Sequence, residues 1–267
     1  MTEFREQDLN GARFERVSLR GATFNDVYLN DALIHDVDLT GAQFRLVWLK
    51  NVRMRGVELL DVDIYGEVRN LVINGVDVVP FIEAELNRRM PERAKMRPDT
   101  ADGFREAWAV LERLWDDTVA RARTLPESAL HHSVDGEWSF IQTLRHLAFA
   151  SACWVDRMVL GNPSPWRPLE LPWDEAPTGD WFSWDRDARP SLDEALALRR
   201  VRQETVGEVM AKLTDDKLAE TVTRTEPGHP KEVDIPVKQC LLVLLNEEWE
   251  HRLYADRDLA ALAASSK

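Results

Sequence analysis

The chain has 267 residues, of which 44% are hydrophobic and 30% charged, and its formal net charge is −13. That length accommodates two domains, and the composition is that of a globular protein able to build real cores. The acidity argues against direct nucleic-acid binding through phosphates, and no run of about 18 apolar residues is present to span a membrane.

The N-terminal stretch MTEFREQDLN is acidic and polar, unlike a secretory leader or a transit peptide. Cys153 and Cys240 are too few for a disulfide framework, and both fall in helical patterns. They read as buried apolar thiols in a reducing environment, so a cytoplasmic protein is expected.

Large apolar residues then recur every fifth position, at Phe4, Leu9, Phe14, Leu19, Phe24, Leu29, Ile34, Leu39, Phe44, Leu49, Met54, Leu59 and Ile64. From Ala12 to Val62 a small or β-branched residue stands two positions before each. The register slips by one after Ile64 and continues as Val68, Ile73 and Val78. A period of five suits neither a helix nor a strand, which repeat at about 3.6 and 2. It suits a coil whose stacked turns point apolar pairs inward. The pattern resembles the pentapeptide-repeat family over residues 4–79. The resemblance implies a right-handed quadrilateral β-helix with four repeats per turn, and so a first domain over residues 1–79. Solenoids of this kind expose ends and faces that dock partners. Some pentapeptide proteins imitate duplex DNA and engage DNA gyrase. Here the outward positions mix signs, with Arg13, Arg16, Arg20, Arg45, Arg53 and Arg55 among the acids, so protein docking is the better expectation. The exposed solenoid ends also leave room for a homodimer.

Residues 80–100 change character. Phe81, Ile82 and Leu86 give a short amphipathic helix suited to capping a coil, and Pro91 and Pro98 mark a linker. Four helical patterns fill residues 101–267. The first spans about 101–124, with Phe104, Trp108, Leu111 and Trp115 on one stripe. The second opens at Ser139, whose spacing to Gln142 is that of a capping box, and runs to about Leu160. The third opens at Ser191 with Glu194 three residues on, and the fourth begins near Pro236 and runs to about 263. Between the second and third lies a segment holding Trp166, Trp173, Trp181 and Trp184, which either seals the side of the bundle or lines a ligand pocket. A hairpin around Pro227-Gly228 is expected within 219–235.

The fourth helix carries the chemistry. Its inward stripe runs Val237, Cys240, Leu241, Leu244, Glu247, His251, Tyr254, Ala255 and Leu259, so two ionisable residues four apart interrupt an apolar face. A buried carboxylate needs a cation, and Glu-x-x-x-His can present one oxygen and one nitrogen to the same ion. A third ligand is expected from a neighbouring helix; His146, mid-way along the second helix, taken alone reads more readily as a satisfied core residue than as that ligand. Glu248 and Glu250 are expected to be solvated or to support the ligands, Asp256, Arg257 and Asp258 to form helix-end ion pairs, His131 and His132 to be solvated, and His229 to occupy a turn.

The stretches GEWSFIQTLRHLAFA and VKQCLLVLLNEEWEHRLYADRDL resemble the DinB-like domains, which are four-helix bundles with a metal-binding His on the second helix and an H-x-x-x-H pair on the last. Glu247 stands where the first His of that pair is expected. The resulting His, Glu, His set is similar to that of the mycothiol-dependent maleylpyruvate isomerases. The resemblance implies a metal site made of His146, Glu247 and His251, holding a divalent ion, zinc first and nickel or manganese next. Three ligands leave a coordination position open, where water or a thiol such as mycothiol could be activated. The arginine-over-lysine bias is that of a GC-rich genome and favours mycothiol as the thiol. The expected function is a metal-dependent thiol transferase or isomerase acting on a small electrophile, with no catalytic side chain assignable. The competing expectation is a stress-related binding module whose metal is purely structural.

Overall fold

A computed structural model describes residues 3–24, 27–44, 47–174, 176 and 182–265. Arg45 and Trp181 lie outside the described residues. The chain divides into two compact units, Met1–Tyr65 and Gly66–Lys267, and the division falls where the pentad register slips.

In the first unit the period of five is written into the backbone. Glu6, Gly11, Arg16, Gly21, Asp31, Asp36, Gly41, Asn51, Gly56 and Asp61 all take positive φ, one corner per pentad. Most are Gly, Asp or Asn, the residues that tolerate this conformation at least cost. Backbone bonds from Ala12 to Leu9, Ala22 to Leu19, Ala32 to Leu29 and Ala42 to Leu39 close alternate corners. The expected ladder between coils is not seen: among the described residues of this unit no strand is paired, and its apolar residues are exposed, Phe14 at 58% and Phe24 at 61%. The corners are set within each pentad, whereas burial depends on one coil lying against the next.

The second unit opens with a two-residue-loop hairpin, β1 (Val72–Ile73) against β2 (Val76–Asp77). Asn74 and Gly75 both have positive φ, as this tight turn requires. Ile73 of the continued pentad series is thus a hairpin residue, and Val78 caps the helix that follows. That helix, α1 (Val79–Arg89), buries none of its residues, and a 3-10 turn over Pro91–Met96 leads into the bundle.

Four long helices make the bundle: α2 (Ala101–Ala122), α3 (Phe140–Ser151), α4 (Leu192–Lys212) and a final helix, Val237–Ser265. Each packs on two others, α3 and α2 both lying between α4 and the final helix. Thr100, Ser139 and Ser191 cap the first three, the last two in full capping boxes. Helix α3 continues as a π-helix over Ala152–Val159, a widening the apolar periodicity does not signal. A short helix, α5 (Asp215–Ala219), precedes the hairpin of β3 (Thr221–Arg224) and β4 (Glu232–Pro236), after which the final helix is α6. One core joins Phe104, Trp108, Leu111, Leu241, Leu244 and Trp249, and a second joins Trp115, Leu130, Ile141, Leu144, Leu147 and Leu259. Among the described residues, no helix is long and apolar enough to cross a membrane.

The tryptophan-rich segment between α3 and α4 packs as a satellite cluster, with Trp166 buried against Phe149, Ala152 and Cys153. Three buried arginines fasten it. Arg145 donates to the carbonyls of Leu169, Asp185, Arg186 and Ala188. Arg157 donates to those of Pro163, Glu226 and Pro230, and Arg202 reaches Glu170, Asp156 and the Pro165 carbonyl. Gly228 lies so close to Trp166 and Arg157 that a side chain there would collide with both.

Candidate metal centre

The core stripe of α6 passes through Leu241, Leu244, Leu245, Glu248, Arg252, Ala255 and Leu259, all buried. Glu247 and His251 therefore lie on its edge rather than at its centre, with side chains 28% and 21% exposed. One turn of α6 brings both toward α3, where His146 is buried with the Phe149 ring 6.0 Å away. One ligand atom from each of the three falls within 4.8 Å of the others, the single such group of three or more among the described residues.

Hydrogen bonding fixes which nitrogen each histidine offers. His146 Nδ1 lies 3.0 Å from the Leu171 carbonyl, and His251 Nδ1 lies 2.9 Å from the Glu247 carbonyl. A carbonyl only accepts, so each Nδ1 carries the proton and each neutral ring keeps its lone pair on Nε2. His146 Nε2 then faces Glu247 Oε2 at 3.3 Å, one acceptor against another. Such a contact is stable only with a proton or a metal ion between the two atoms. For bonds of about 2.0–2.1 Å around a tetrahedral ion, ligand atoms sit about 3.3 Å apart, the separation of the His146–Glu247 pair. Burial works to raise the Glu247 carboxyl, but a proton donated from His146 Nε2, together with the potential of His251 and His146, outweighs it and holds the group below its usual value. Burial, with His146 alongside, lowers His251 to about 4, which keeps the imidazole neutral and available as a ligand.

Aromatic rings wall the site. Trp138 lies 4.4 Å from His146 and 6.0 Å from His251 by ring centroids, and its Nε1 donates to Asp174 at 3.1 Å. Tyr254 meets His251 edge-on at 6.2 Å, and Phe149 lies 6.0 Å from His146. Beyond Phe149, Trp173 and His229 continue the wall.

Several flanking residues differ from expectation. Glu248 is wholly buried and bound at two points by Arg199, at 3.1 and 2.5 Å, and that guanidinium also lies over Trp115. Asp256 is no helix-end residue: it ties α6 to α2 through Thr118 and Arg121, and pairs with Arg252. Arg257 does pair with Asp258. His229 is more than a turn residue, because its ring stacks on Phe149 at 6.3 Å. Cys153 and Cys240 are buried, and burial raises both thiols, Cys240 to about 11.

The model of the DinB superfamily matches residues 110–255, a span that holds all three candidate ligands and more than half of the chain. The chain belongs to the DinB superfamily. The pentapeptide-repeat model matches residues 2–43, so this DinB protein is a fusion of the two. No curated protein matches it. Nor does any solved structure.

Proposed function

We propose that this DinB protein is a metal-dependent thiol transferase or isomerase, using a low-molecular-weight thiol such as mycothiol against a small electrophile. The observation that carries this reading is the His146–Glu247 acceptor pair beside His251, on a face that stays partly open to solvent. His146, Glu247 and His251 would hold the ion, zinc first and nickel or manganese next. A divalent ion there supplies Lewis acidity, lowering the pKa of a thiol or water near neutral pH.

The chain's own residues do the rest. The Leu171 and Glu247 carbonyls accept from Nδ1 of the two histidines, which leaves each Nε2 as the atom that would face the ion. Trp138, Tyr254 and Phe149 form an apolar wall that keeps water from one side and offers flat surfaces to a substrate. Neither cysteine is available as a nucleophile, since both are buried and held protonated. A sulfur nucleophile must therefore come from a small molecule.

The first unit, Met1–Tyr65, is read as a right-handed quadrilateral β-helix that docks a protein partner, its boundary falling short of residue 79 because residues 72–77 form a hairpin of the second unit. The corner at each described pentad and the unbroken apolar series support that reading.

Cobalt-loaded protein titrated with mycothiol, or with N-acetylcysteine as a stand-in, tests the thiol role. A thiolate-to-metal charge-transfer band is expected in the wild type and not in a Glu247→Ala, His251→Ala variant. A cobalt-loaded wild type that shows no such band with any thiol would favour a purely structural metal.

A further inference from the structure

We infer that Arg145 is a positioning residue for the metal centre, acting through the backbone of the tryptophan-rich segment to fix the tautomer of His146. The inference rests on the reading of His146 as a ligand.

His146 cannot choose its own tautomer, because the acceptor that takes its Nδ1 proton lies 25 residues away, at the Leu171 carbonyl. Leu171 belongs to an irregular segment with no ladder of its own to place that carbonyl. Its position is set from both sides. Arg145, the residue beside His146 on α3, sends Nε to the Leu169 carbonyl at 2.7 Å and Nη1 to the Ala188 carbonyl at 2.8 Å. The same guanidinium bonds the carbonyls of Asp185 and Arg186. The Arg145 carbonyl in turn accepts from the Leu171 amide at 3.3 Å. Between Leu169 and Leu171, the Glu170 carboxylate is held by Arg202 at 2.8 and 2.6 Å.

A guanidinium with no exposed surface, whose hydrogen-bond partners among the described residues are all carbonyls, is a costly thing to bury. What it secures is a stretch of chain that touches the site twice. Leu171 holds His146, and Asp174, three residues on, holds the Trp138 indole that lies over both histidines. A planar five-donor fork can serve four carbonyls at once; a lysine ammonium, with three donors on a point charge, cannot. His251 is independent of this arrangement, because its Nδ1 bonds within α6. It is therefore an internal control.

The test is long-range 1H–15N correlation on 15N-histidine-labelled protein without metal, together with zinc affinity by chelator competition, for the wild type, Arg145→Lys and Arg145→Gln. The second variant removes the buried charge and so remains usable if the first does not fold. The wild type should show His146 protonated on Nδ1. A folded variant should show a mixture of His146 tautomers, an unchanged His251, and zinc binding weakened about 10- to 100-fold. A purely structural role would lower the melting temperature and leave the His146 tautomer alone. An unchanged His146 in a folded variant, or a wild-type His146 with no proton on Nδ1, overturns the inference. Failure of the wild type to bind zinc would remove the metal reading, while the tautomer comparison would still decide the role of Arg145.

Discussion

Glu248 and Glu247 are neighbours in sequence with opposite environments, and the contrast defines the residue scale. Glu248 lies in the core stripe and is neutralised by Arg199, whereas Glu247 faces two imidazoles that cannot neutralise it unless protonated. Breaking a buried pair by removing one partner strands the other charge and costs about 3–5 kcal/mol. Arg199→Met should therefore destabilise by that order in urea unfolding, while Arg199→Met with Glu248→Leu should recover most of it. His229 gives a pH signature. Burial, reinforced by Arg157, lowers it to about 4 from 6.5. Between those values the unfolded chain binds the extra proton and the folded chain does not, so stability is full above about 6.5 and falls as pH drops toward 4. His229→Phe keeps a ring against Phe149 and Trp173 and should flatten that part of the melting-temperature profile. An unchanged slope would mean that His229 is solvated in the folded protein.

At the scale of elements, what could be read from sequence depended on which signals are local. The capping boxes at Ser139 and Ser191 and the apolar stripes of α2, α3, α4 and α6 are local, and they located all four long helices. Of the three candidate ligands, Glu247 and His251 were legible because they interrupt the apolar face of α6, whereas His146 was singled out by the resemblance to the DinB-like domains. The buried arginines were not. Arg145, Arg157 and Arg202 look like solvated helix residues until the distant carbonyls and carboxylates they serve are in place. Glu248 had a signal that was missed: it continues the spacing of Leu241, Leu244 and Leu245 into the core. The π-helix over Ala152–Val159 has no counterpart in the periodicity. Because α3 carries His146 within its second turn, its cap matters to the site. Ser139→Ala should cost about 1 kcal/mol by thermal or urea melting.

For the whole molecule, the two units pose separate questions. All three candidate ligands, and the carbonyls that face the histidines, lie in Gly66–Lys267. A fragment of residues 66–267 should therefore bind zinc as tightly as the full chain, measured by the same competition assay, and a large loss would assign the first unit a part in the site. In the first unit the pentad corners follow the sequence closely, because glycine, aspartate and asparagine at most of these positions favour them locally. Stacking between coils is non-local, and that is the part the repeat implies but the described backbone does not contain. Leu29→Asp separates the alternatives. It should lower the melting temperature by several degrees if the apolar residues line a closed coil, and leave it unchanged if they stay exposed.

The central claim is that His146, Glu247 and His251 hold one divalent ion. Elemental mass spectrometry on tag-free protein, beside the Glu247→Ala, His251→Ala variant, tests it most directly. The account predicts close to one equivalent of zinc, nickel or manganese in the wild type and a marked loss in the variant. A wild type purified without metal that also fails to take up added zinc or nickel would contradict it, and the proton shared between His146 and Glu247 would then explain their contact.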